Sequence, residues 1–261
     1  REGGMKTSET FSLSRFGEYF ILDLRNCFAK VGLTTLVCGL VPLILLVMVA
    51  ATNFAVGDPS VWIIENSVKD MVTAVTSIFY FLLIPISCYG LLTDKSAGST
   101  SMMLPASHTE KYASMVINSM IILPLTFAAL YFATDAALWA LFPARYEDAV
   151  FVDLVRRTGL TRFGSTPTVM TMLSSFFMPW MVSAVGLTGA LLFKRGKGAK
   201  TFAVSAVSFI LLVAVLGSIE IPSLYNKVNM HTVNVIWVVF QTVCAVLCLT
   251  YVYFRTKIIQ Y

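Results

Sequence analysis

The chain has 261 residues, of which 57% are hydrophobic and only 13% charged, with a mean hydropathy of +0.79. Soluble domains carry about 45–50% apolar and about 25% charged residues. This composition therefore excludes soluble, disordered and disulfide-scaffold classes and sends the surplus apolar surface to lipid. The net charge of +5 comes from 19 basic and 14 acidic residues. In a membrane chain its placement sets topology, and nucleic acid is not an expected partner.

Residues 1–13 are expected to be a disordered N-terminal segment, with Arg1–Gly4 reading as sequence upstream of Met5. In Ser14–Phe28, the apolar residues Phe16, Tyr19, Phe20, Leu24, Cys27 and Phe28 recur at helical spacing. Arg15, Glu18, Asp23, Arg25 and Asn26 occupy other positions. This pattern predicts an amphipathic helix lying in the cytoplasmic membrane interface. Two roles stay open for it: an elbow that takes force from a cytoplasmic partner, or a plain surface anchor.

A spanning helix needs about 20 mostly apolar residues. Six such runs follow, about 31–54, 71–92, 113–134, 169–193, 201–219 and 232–254, with a short tail at 258–261. The first run is too long for a signal sequence core. The runs are continuous rather than alternating, which favours helices over a barrel. The expected fold is all-α: a single six-helix membrane domain over 14–257.

Thirteen basic residues fall on one side: Arg1, Lys6, Arg15, Arg25, Lys30, Lys95, Lys111, Lys194, Arg195, Lys197, Lys200, Arg255 and Lys257. Six fall on the other: Lys69, Arg145, Arg156, Arg157, Arg162 and Lys227. The positive-inside rule then places both termini in the cytoplasm, although the four Arg of the loop at about 143–167 run against the trend.

The loop between the second and third runs, Thr93–Lys111, is the most informative stretch. Ser107-His-Thr-Glu110 matches a capping box, so a helix is expected to start near Ser107. Met102, Met103 and Leu104 form an apolar knob flanked by charge, which suits a socket on a partner; the alternative is that the knob folds back on the helix ends. The basic loop Lys194–Lys200 reads mainly as a topology determinant and lacks the spacing of a phosphate loop.

Ionisable residues are almost absent from the spans, which leaves Asn118 and Gln241 as interhelical hydrogen-bonding candidates at a pathway or interface. Pro124 and Pro179, with Pro42 and Pro85, mark possible kinks. Gly186 and Gly189 would allow close helix approach, including at a subunit contact. His108 and His231 fall on opposite sides of the membrane, and neither a catalytic nor a metal-binding motif is present. Of the five cysteines, Cys244 and Cys248 are one turn apart, but without accompanying His or carboxylate they read as small apolar residues.

The layout of six spans, cytoplasmic ends, an amphipathic helix before the first span and no ATPase domain resembles the ABC transporter type-2 permeases. The phrase Leu104-Pro-Ala-Ser-His-Thr-Glu-Lys111, followed by an apolar helix, resembles one found in small Bacteroidetes permeases of this family. The resemblance covers about residues 11–257. It implies an exporter subunit of the bacterial inner membrane, paired with a second permease copy or homologue and seated on a separate nucleotide-binding ATPase. ATP and Mg would bind that partner, and this chain would hold no cofactor and catalyse nothing. The resemblance makes Ser14–Phe28 the connecting helix and Thr93–Lys111 the coupling region. Arg15, Glu18, Met102, Met103, Leu104, Glu110 and Lys111 are then the expected ATPase contacts. The family often has helices re-entering between the last two spans, and the short polar stretch 220–231 fits that poorly. Because the spans are uncharged, the expected substrate is amphipathic or hydrophobic, a peptide or lipid-like molecule. The competing readings are a non-transporting assembly or immunity protein and a secondary carrier. The carrier is disfavoured by the lack of midplane acids.

Overall fold

A computed structural model describes residues 11–56, 63–93, 106–153, 166–218 and 230–260, and these are helical but for short connections and one isolated parallel bridge, Ile64 to Tyr146. In chain order the helices are α1 (Leu13–Gly39), α2 (Val41–Val56), α3 (Asn66–Tyr89), α4 (His108–Ile117), α5 (Leu123–Leu141), α6 (Thr166–Leu192), α7 (Lys197–Ser218) and α8 (Met230–Gln260). A 3-10 turn, Gly90–Thr93, follows α3, and a π-turn, Asn118–Ile122, joins α4 to α5.

Three described helices are long and apolar enough to cross a membrane: Asn66–Leu92, His108–Leu141 and Val235–Ile258. The pair Leu13–Gly39 and Val41–Ala55, bent by 44°, makes a fourth if it counts as one broken span. The other two apolar runs fall on α6 and α7, where the described apolar part of α6, Phe177–Leu192, is shorter.

The expected N-terminal helix differs from the observed one. Ser14–Phe28 is helical, but it does not end before the first span: α1 runs unbroken from Leu13 to Gly39. Nothing between Phe28 and Gly39 stops a helix, and the first breaker is Pro42. Proline has no N–H to give to the carbonyl four residues back, here that of Cys38, and the chain bends at Leu40. Likewise the expected tail at 258–261 continues α8 to Gln260.

Pro124 has a similar local effect. It cannot bond the Met120 carbonyl, and the turn ahead of it widens so that the N–H of Leu123 reaches the Asn118 carbonyl five residues back. Such π-turns inside α-helices recur at functional sites.

The core joins α1, α3, α4, α5, α6 and α8, with Tyr80, Phe81, Phe127 and Tyr131 at its aromatic centre. Tyr80 stacks on Phe127 with centroids 4.5 Å apart, and Phe81 meets the same ring edge-on at 5.6 Å. In lipid, helices associate through close packing and polar contacts rather than the hydrophobic effect. The small residues of α6 serve that packing inside this chain, rather than at a subunit contact. A Cβ on Gly186 would lie 2.5 Å from the Leu82 carbonyl oxygen, and one on Gly189 would lie 2.1 Å from Thr201 Oγ1. Pro85 leaves the Phe81 carbonyl without its helical donor, and Gly186 sits against that stretch of exposed backbone.

Lys69 closes one end of the bundle. It is 2% exposed, lies 4.3 Å over the Tyr146 ring and donates to the Asp148 carbonyl. Tyr146 donates its phenolic proton to Asp135 Oδ1 at 2.5 Å, and the Val150 N–H donates to Asp135 Oδ2 at 2.5 Å. The Ile64 bridge and the bond from Asn66 N–H to Glu147 Oε2 at 2.7 Å pin the same loop to the start of α3. Isolated buried charges are costly; this cation is supported by a carbonyl and a ring face.

Candidate functional site

At the opposite end of the bundle the starts of α1 and α4 and the end of α8 meet around Glu110. Ser107 caps α4 through the capping box expected from its sequence: Ser107 Oγ accepts from the Glu110 N–H at 3.3 Å, and Glu110 Oε2 accepts from the Ser107 N–H at 2.7 Å. The same carboxylate reaches across to α1. Its Oε1 accepts from the Ser12 N–H at 2.8 Å and from Arg15 Nη2 at 2.7 Å, and Arg15 Nε is 2.9 Å from Oε2 and 3.2 Å from Oε1. Fork-shaped pairing of this kind fixes orientation as well as charge.

Glu110 is fully buried (0% exposed), and its two oxygens are taken up by these donors. The apolar part of the α4–α5 span begins at Ala113, so Glu110 lies outside it. Arg15 holds its carboxyl well below the usual range, at about 2, against the opposing effect of burial. On the other flank, His108 Nε2 is 2.9 Å from Thr256 Oγ1 and the His108 ring meets Tyr253 edge-on at 4.8 Å. Tyr112 also meets Tyr253 edge-on, and its hydroxyl donates to the Leu249 carbonyl at 3.3 Å. The first turn of α4 is thus clasped to both α1 and α8.

A second junction lies two turns further along α1. Asp23 Oδ2 accepts from Tyr89 Oη at 3.0 Å, Ser114 Oγ at 2.5 Å and Asn118 Nδ2 at 2.9 Å, joining α1, α3, α4 and the π-turn on one oxygen. Cys27 Sγ donates to Tyr89 Oη at 3.4 Å. Asn118 Oδ1 is buried with no hydrogen-bond partner among the described residues. A cleft of about 110 Å³ opens beside this junction, lined by Tyr19, Asp23, Asn26, Lys30 and Tyr89 among others. Two lysines cap the end of α3 here: Lys30 Nζ donates to the Cys88 carbonyl at 3.0 Å, and Lys197 Nζ donates to the Gly90 carbonyl. Cations at a helix C-terminus meet both the unpaired carbonyls and the negative end of the helix dipole. Lys197, read from sequence as a topology determinant, thus also has a tertiary role.

The remaining predicted residues scatter. Met102, Met103 and Leu104 lie outside the described residues, as does most of the 220–231 stretch. Glu18 is exposed and Lys111 half-buried on the clasp side. Gln241 is buried within α8, Pro124 follows the π-turn, and Pro179 is internal to α6. Asp23, Tyr89, Ser114 and Lys30 were not singled out as site residues in the sequence. Asp23 carried a usable signal: the buried residues of α1 are Cys27, Val31, Thr35 and Gly39, and Asp23 extends that four-residue series by one step. Among the described residues no three His, Cys, Asp or Glu side chains gather as a metal set. Comparison with protein-family models, with curated proteins and with solved structures finds no match.

Proposed function

We propose that the chain is the membrane-spanning subunit of an ATP-driven exporter, crossing the inner membrane of a bacterium six times with both termini in the cytoplasm. The observation that carries this reading is the Glu110 clasp. It ties the end of the Thr93–Lys111 loop to the start of α1, while His108 and Tyr112 tie the same turn to the end of α8. A force applied to that loop by a nucleotide-binding partner would be delivered to two spanning helices at once. Order–disorder and rigid-body changes of this kind are the usual means by which a local event switches a pathway.

In this reading the partner hydrolyses ATP, Met102–Leu104 provides the socket contact, and the partly exposed Arg15 passes motion to the buried Glu110 within the chain. A second permease subunit completes the pathway, and the substrate is an amphipathic peptide or lipid-like molecule. Affinity purification of the full chain in mild detergent tests the proposal. A nucleotide-binding ATPase is expected to co-purify, and deletion of Met102–Leu104 is expected to release it. Recovery of no such partner, together with no effect of the deletion, would sink the proposal.

A further inference from the structure

The cleft beside Asp23 has a chemistry that the clasp does not use. All three protein donors to Asp23 converge on Oδ2, and among the described residues no donor reaches Oδ1. Three bonds from three elements hold the carboxylate in one orientation while one oxygen keeps its lone pairs. On the same wall, Lys30 spends one N–H on the Cys88 carbonyl, which leaves two for a ligand. Asp23 and Lys30 are seven residues apart on α1, two turns along one helix face. A free metal or ammonium ion would be attracted by the first and repelled by the second. A zwitterion satisfies both.

The position of the cleft narrows the choice further. Asn26 and the tyrosines Tyr19 and Tyr89 supply polar atoms to the lining, while Leu22, Leu91 and Leu92 supply apolar surface. It sits where the first apolar run begins and the second ends, the depth at which lipid headgroups lie. A volume of about 110 Å³ is several times the roughly 10–15 Å³ that a single water needs, room for a small polar group such as an aminoethyl.

We propose that this cleft is a binding site for a phosphoethanolamine-type zwitterion, carried on a lipid or free. Its primary ammonium would donate to Asp23 Oδ1, and its phosphate would sit at the mouth against Lys30. A quaternary ammonium has no N–H to give Asp23, and a glycerol headgroup has no cation, so the site selects against both. The inference rests on the chain lying in a membrane and not on the exporter reading.

Native mass spectrometry of the delipidated full-length protein in detergent tests it, with phosphatidylethanolamine, phosphatidylcholine and phosphatidylglycerol of matched acyl chains as probes. Loss of one charge-assisted hydrogen bond amounts to about tenfold in affinity, so phosphatidylethanolamine should be retained about tenfold better than either of the others. Asp23→Asn and Lys30→Met should each bring it down to the level of phosphatidylcholine. Lys30 is exposed, so K30M keeps the test alive if D23N fails to fold. Glycerophosphoethanolamine as competitor separates the two sources: displacement of the lipid assigns recognition to the headgroup alone, and failure to displace assigns it to the intact lipid. Equal retention of the three lipids, or phosphatidylethanolamine binding unchanged in either folded variant, overturns the proposal.

Discussion

Replacing Glu110 by glutamine probes the clasp with the least change of shape. The carboxylate accepts from the Ser12 and Ser107 N–H groups and from two nitrogens of Arg15. An amide can present an acceptor on only one side. With its NH₂ at the Oε2 position it faces the Ser107 N–H and Arg15 Nε; turned round, it faces the Ser12 N–H and Arg15 Nη2. Either way two donors meet a donor, and the charge is lost. A bond to a charged group is worth about 1.5–3 kcal/mol when sheltered. Arg15 and Ser12 reach solvent, so water takes over part of their bonding and screening removes part of the charge term. The net cost of Glu110→Gln is about 1–2 kcal/mol, a fall in Tm of about 2–8 °C for a chain of this size.

The pH dependence gives an independent check of the same contact. The folded-state carboxyl is held at about 2, below an unfolded value of about 4.3. Its contribution to stability is therefore fully present above about pH 4.3 and is lost as pH falls through that window towards 2. The gap in Tm between the native chain and Glu110→Gln, read by thermal unfolding in detergent, should be constant from pH 7 to 5 and narrow steadily below. A gap independent of pH, or no gap at pH 7, would refute the assignment of the clasp to an ionised Glu110.

Gly186→Ala places a Cβ 2.5 Å from the Leu82 carbonyl oxygen, and backbone cannot swing aside as a side chain can. Overpacking of this kind costs about 1–3 kcal/mol, so Tm should fall. Gly32→Ala, where an added Cβ meets nothing within 4 Å, should leave stability unchanged or raise it by up to about 1 kcal/mol; equal effects at the two glycines would contradict the packing described. Tyr146→Phe removes a donor from Asp135, which is 1% exposed, and should destabilise by about 1–3 kcal/mol in the same melt; an unchanged Tm would mean that the Lys69 end is not held by this network. A cysteine at the exposed position Arg195 should react with an impermeant thiol reagent only once the inner face of the membrane is accessible. Labelling from outside intact cells would reverse the orientation.

Several of these features could be read from the chain because their causes are local. The capping box needs only Ser107 and Glu110, three residues apart, and the apolar runs fall on helical segments, the first of them on the bent pair α1 and α2, because hydropathy needs no partner. Pro42 and Pro124 act on carbonyls four residues away, so the bend at Leu40 and the π-turn at Asn118 follow from sequence rules about proline.

What could not be read was long-range. Nothing near Glu110 announces that Arg15, 95 positions earlier, will grip it. A pattern of polar and apolar faces cannot tell a separate surface helix from one that runs on unbroken into the first apolar run. Only the absence of a breaker between Phe28 and Gly39 distinguishes them, and that is a weaker cue than the presence of one. By residue type Asp23 belongs with the polar positions of Ser14–Phe28, although its register places it on the buried stripe that continues through Cys27 and Val31. In sequence Lys69 counts only as one of the six basic residues on its side of the membrane, because its carbonyl and ring partners lie 77 to 79 positions further on.

The most direct test of the central proposal is a photo-crosslinking residue at Leu104 in intact cells, with adducts identified by mass spectrometry. The account predicts an adduct with a nucleotide-binding ATPase, weakened when Glu18, on the exposed face of α1, is replaced by lysine. Adducts only with lipid or with other segments of this chain would contradict it.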